Sequence, residues 1–159
     1  MNLRIYILSL TVIFTACSNV EDRIELLENK LQIEMPNEYT IVQDEDISYN
    51  GLESDYKIIL KLQLESEGIQ KIENQINQTP YYNQLVKFQG KGNGIGTFTR
   101  EEMVEFKLIQ DSILKTKYRG TWIETVEGFE FIDFGDKMEP IDACIDSKEN
   151  TLTFEFNKL

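Results

Sequence analysis

Between Tyr56 and Leu64 the chain alternates, with Ile58, Leu60, Leu62 and Leu64 on one side and Lys57, Ile59, Lys61 and Gln63 on the other. A period of two over this length is the pattern of a strand with one buried face. The period then changes. Ile69, Ile72 and Ile76 recur at helical spacing, Ser66 stands where a cap is needed, and Pro80 bounds the segment. A strand that is apolar on one face must be covered, and an amphipathic helix beside it in sequence is the nearest cover. The pair therefore commits the chain to a layered fold with helix on sheet.

The other segments extend this reading. Val20, Ile24, Leu27 and Leu31 form a helical stripe, with Asn19 as N-cap, Glu21 and Asp22 in the first turn, and Pro36-Asn37 ending the segment. Glu38 to Val42 reads as a short strand, and Asp44 to Asp55 as an acidic, turn-rich stretch. Thr99 and Glu102 have the spacing of a capping box, with Phe98 and Met103 placed as a hydrophobic staple. Phe106, Ile109 and Ile113 continue that helix to about Lys115. Four strand patterns follow, at Tyr118 to Val126, Phe129 to Phe134, Pro140 to Asp146 and Thr151 to Phe156, separated by turn residues. Ile141, Ala143 and Ile145 oppose Asp142, Cys144 and Asp146, while Leu152, Phe154 and Phe156 oppose Thr151, Thr153 and Glu155. The expected fold class is α+β. A C-terminal four-strand meander and the N-terminal strands form one antiparallel sheet, with two or three helices on one face.

The first residues read differently. Met1 to Arg4 carry a small positive charge, and Ile5 to Ala16 are uncharged and mostly apolar. That run is shorter than the roughly 20 residues a membrane-spanning helix needs, and it fits the apolar region of a secretory signal. Phe14-Thr15-Ala16-Cys17 resembles the lipobox of bacterial lipoproteins, with Phe14 where Leu is usual. The resemblance implies cleavage before Cys17, a diacylglycerol thioether on its sulfur, and anchorage to the lipid bilayer. It also implies residence in the cell envelope, and Ser18 after the cysteine resembles lipoproteins sent to the outer membrane of a Gram-negative host. The division expected is residues 1–16 as signal peptide, 17–36 as lipidated N-terminus with a short helix or tether, and 37–159 as a single domain.

Charge narrows the partners. Sixteen basic residues against 28 acidic ones give a formal net charge of −12, and Arg4 departs with the signal. Such a chain repels nucleic acid and favours cationic partners. Histidine is absent, which removes Ser-His-Asp and Cys-His catalysis and His-ligated zinc. Two cysteines are present. With Cys17 lipidated, Cys144 has no disulfide partner and is expected to be a semi-buried structural residue.

Motifs that carry chemistry are few. Asp46 to Gly51 has oxygen donors at alternate positions before a glycine, like the front of an EF-hand loop, but Lys57 stands where the bidentate glutamate belongs. Asp44, Asp46, Asn50 and Asp55 remain candidate calcium ligands in another geometry, against the plainer reading of a solvated turn. Gly90 to Gly96 lacks the order of either nucleotide-binding glycine motif and reads as a flexible loop. Asp133-Phe134-Gly135 spells a kinase triplet without the rest of a kinase. Asp133, Asp142 and Asp146 are candidate acid–base carboxylates, and Tyr81 and Tyr82 candidate partner-binding aromatics, whereas Trp122 is expected in the core. No cofactor other than the lipid is implied. The functional expectation is a membrane-anchored lipoprotein with a small, acidic, non-catalytic binding domain of accessory, inhibitor or immunity type, meeting a cationic envelope protein. A small carboxylate-dependent hydrolase and a calcium-stabilised surface adhesin module stand as alternatives.

Overall fold

The computed structural model describes residues 18–48, 55–91 and 96–159. The expected signal peptide (residues 1–16), Cys17 and Asn50 lie outside these residues. In chain order the elements are helix α1 (Ser18–Leu31), strands β1 (Tyr39–Ser48) and β2 (Tyr56–Leu64), and helix α2 (Ser66–Asn77). A short 3-10 turn (Val86–Phe88) and helix α3 (Arg100–Leu114) follow, then β3 (Gly120–Glu124), β4 (Gly128–Asp133), β5 (Ile141–Asp146) and β6 (Thr151–Lys158). The strands make one antiparallel sheet in the order β1-β2-β6-β5-β4-β3. The fold is α+β, built as an N-terminal hairpin, a helical crossover and a four-strand meander that returns β6 alongside β2.

Alternation decides which residues meet. Ile58, Leu60, Leu62 and Leu64 share a face with Leu152, Phe154 and Phe156 of β6, Ile141, Ala143 and Ile145 of β5, and Phe129 and Phe131 of β4. Helices α1 and α2 cover this face with Ile24, Leu27 and Leu31 and with Ile69, Ile72 and Ile76, all in the same buried cluster. Each such side chain contributes about 1.5–3 kcal/mol on burial. Trp122 is 1% exposed and packs edge-on against Phe131 at 5.3 Å between ring centroids.

Among the described residues the second face is covered at one end. Ile123 and Ile132 point away from the main core, and with Leu85 and Phe88 they meet Phe98, Phe106, Ile109 and Phe134 in a separate cluster. Phe88, Phe98 and Phe106 lie 5.4–5.7 Å apart, centroid to centroid. Helix α3 and the 3-10 turn thus sit over β3 and β4 on the face opposite α1 and α2. The capping box forms: the Glu102 N–H donates to Thr99 Oγ1 at 3.2 Å, and the Thr99 N–H to Glu102 Oε2 at 2.9 Å. The staple takes another form, because Phe98 turns into the aromatic cluster and Met103 is 59% exposed.

Other local expectations shift. Strand β1 runs on to Ser48 rather than stopping at Val42, so Asp44 and Asp46 belong to a strand. Both lie on the α1 side, where Arg23 reaches them, and that pairing offsets the like charge that read as a turn. The N-cap of α2 is Glu65, one residue before Ser66. Thr151 is 9% exposed instead of facing solvent.

Candidate functional site

Past the end of the 3-10 turn the second sheet face opens. Glu130 on β4 pairs in register with Cys144 on β5, so both project from that face, with Asp142 and Asp146 two residues to either side of the cysteine. Asn83, Val86 and Gln89, Glu124 at the end of β3 with the turn that follows it to Glu127, and Phe129 and Ile145 complete the lining of an open groove of about 880 Å³. Five carboxylates border it, Glu124, Glu127, Glu130, Asp142 and Asp146, and its lining contains neither lysine nor arginine. The carboxylates elsewhere are often neutralised, as in the pairs Lys30–Glu139, Lys57–Glu155, Lys91–Glu102 and Arg119–Asp133. Cys144 is exposed here, not semi-buried as the sequence suggested, because among the described residues no helix covers β5 on this side. Partial desolvation, then the nearby Asp142, Asp146 and Glu130, push its thiol above the usual range, against a lowering hydrogen bond with Thr153. The groove therefore carries negative potential and a poorly ionised thiol.

The candidates named from sequence are scattered. Asp44 and Asp46 face α1 and pair with Arg23, Asp55 immediately precedes β2, and Asn50 is outside the described residues. Among the described residues no three acidic or cysteine side chains gather closely enough to hold a metal ion. The two tyrosines are half-buried. Tyr81 donates to the Ser112 carbonyl at 3.2 Å and meets Tyr118 edge-on. Tyr82 donates to Glu124 at 3.2 Å while its ring lies against Phe129. Burial first, then Glu124, raises the Tyr82 phenol above its ordinary value.

Asp133 has a structural use. Its Oδ1 accepts from Arg119 Nε and the Gly135 N–H, and its Oδ2 from Arg119 Nη2 and the Ile141 N–H, at 2.8–2.9 Å. Arg119 Nη2 also donates to the Glu139 carbonyl at 2.6 Å. Phe134 joins the aromatic cluster, and at Gly135 a Cβ would stand 2.3 Å from the guanidinium. The triplet is a clasp for the β4–β5 loop, which separates Asp133 in role from Asp142 and Asp146 of the groove.

The groove itself was missed in the sequence. Its signal was the outward parity of Glu130, Asp142 and Asp146 on neighbouring strands of the meander. Among the described residues no helix is long and apolar enough to cross a membrane. Comparison with protein-family models, curated proteins and solved structures finds no match.

Proposed function

We propose that this chain is a lipid-anchored protein of the cell envelope whose acidic domain binds a cationic partner without transforming it. The observation that carries the reading is the groove with five carboxylates and no basic residue. Glu124, Glu127, Glu130 and Asp142 are exposed. Solvated carboxylates of this kind attract cations, whereas a general acid near neutrality needs one kept protonated by desolvation. That favours binding over the hydrolase alternative. The anchor rests on the lipobox-like residues ending at Cys17 and on the apolar run before them.

Two measurements test it. The protein from native membranes should have an intact mass that begins at Cys17 and includes acyl chains, and Cys17→Ala should move it to the soluble fraction. A ten-residue oligolysine should bind at low ionic strength and lose about tenfold or more in affinity by 0.3 M salt, as screening of exposed charges requires. An unacylated membrane species would overturn the anchor, and salt-insensitive or absent oligolysine binding the cationic-partner reading.

A further inference from the structure

Resting on the cationic-partner reading, we infer that the groove seats an extended protein segment in which one apolar side chain lies between two basic ones, spaced to meet Asp142 and Asp146. Four observations lead there. The carboxylates are spread along and across the strands, and none of them forms part of a metal-holding cluster among the described residues. Distributed charge of this kind matches several cations carried on one chain better than a single ion. Strand β5 supplies the spacing: exposed Asp142 and half-buried Asp146, whose Oδ1 accepts the Lys148 and Glu149 N–H groups at 2.9 Å, flank Cys144 on one face, about 13 Å apart at 3.3 Å per residue. An extended segment running along β5 has side chains on one face at the same interval, so basic residues at positions one and five fall over the two aspartates. Position three falls over Cys144. Apolar cover is in place for it, since Val86 on the 3-10 turn is 43% exposed and Val126 on the β3–β4 turn 91% exposed, both lining the groove. Finally, a second copy of a chain at −12 is repelled by these same carboxylates, so the occupant is another, basic protein.

The test uses the full-length lipidated protein in detergent, where Cys144 is the thiol open to alkylation. The probe is an acetylated, amidated peptide containing Lys-Ser-Val-Ser-Lys, compared with a same-composition peptide that has the two lysines adjacent. At low salt the spaced peptide should slow N-ethylmaleimide alkylation of Cys144 about threefold or more, and shift the backbone amides of Val86, Glu130 and Cys144. The adjacent-lysine peptide should do neither at equal concentration. The exposed-site variant Glu130→Gln/Asp142→Asn should lose the protection while keeping the wild-type melting temperature. Equal protection by both peptides, or the same protection from calcium chloride alone, would overturn the assignment. So would amide shifts confined to another surface. If oligolysine still binds in a salt-dependent way while Cys144 is unprotected, the groove assignment fails and the broader function stands. If oligolysine does not bind, the broader reading fails.

Discussion

Replacing Asp133 by alanine removes the acceptor of four hydrogen bonds at once, two from Arg119 and one each from the Gly135 and Ile141 N–H groups. The pair is mostly shielded, with side-chain exposures of 17% for Arg119 and 12% for Asp133. The truncation leaves a part-buried guanidinium without its counter-ion and two backbone donors of the β4–β5 loop without partners. Breaking a buried pair from one side costs about 3–5 kcal/mol, and the residual water access places this one at the lower end, about 3 kcal/mol. In a domain of this size that lowers the melting temperature by roughly 10 °C. Urea unfolding at constant m-value is the assay, run as a double-mutant cycle with Arg119→Met. The coupling should come to about 2 kcal/mol, because the double variant removes charge and acceptor together. A loss below about 1 kcal/mol for Asp133→Ala, or no coupling to Arg119, would refute the clasp and reopen the carboxylate as a candidate for chemistry.

Two further substitutions probe neighbouring devices. Gly135→Ala puts a Cβ 2.3–2.4 Å from guanidinium atoms that Asp133 holds in place, so it should cost about 1–3 kcal/mol and be sub-additive with Asp133→Ala in the same urea assay. Thr99→Ala removes the α3 cap and should cost about 1 kcal/mol. Its partner Glu102 is held below the ordinary glutamate range, chiefly by Lys91 and then by the Thr99 N–H. A carboxyl depressed in the folded state stabilises fully above its unfolded value, and the gain is lost as pH falls through its folded value. Glu102→Gln should therefore flatten the acid side of the stability profile, read from urea midpoints between about pH 3 and 6.

What the sequence disclosed follows the range of the forces involved. The alternation of β2, the stripe of α2, the Thr99–Glu102 box and the parity of β5 and β6 are local, and each appears where its period or cap requires. Strand β1 was cut short because Asp44 and Asp46 read as a turn until Arg23, some twenty residues away in the chain, is brought over them. The placement of α3 was hidden for a similar reason. Its stripe of Phe106, Ile109 and Ile113 shows that it packs somewhere, but the face follows from Ile123 and Ile132, which interrupt the alternation of β3 and β4. A strand buried on both faces loses its period, and β3, with Gly120 to Ile123 all buried, is such a strand. Cys144 misled for the opposite reason. Its residue type favours burial, yet among the described residues no helix is left to cover the outer face of β5 once α3 has been taken by β3 and β4.

The same division of faces organises the two halves of the functional reading. Helix α1 starts at Ser18, packs against the core from Val20 and is buried in it from Ile24, about 9 Å along the helix from Ser18. Arg23 ties it to β1 at one edge of the sheet, and Lys30 ties it to Glu139 in the β4–β5 loop, so α1 crosses the first face from that edge inward. The groove opens on the second face, over β4 and β5. An anchor at Cys17 would thus enter beside β1, with the sheet between it and the carboxylates. That arrangement suits an acidic binding surface, because its charges gain nothing from an anionic lipid headgroup layer and work best turned toward a basic partner. The half of the sheet that the described helices leave uncovered is what leaves Glu130 and Asp142 in water and available to it.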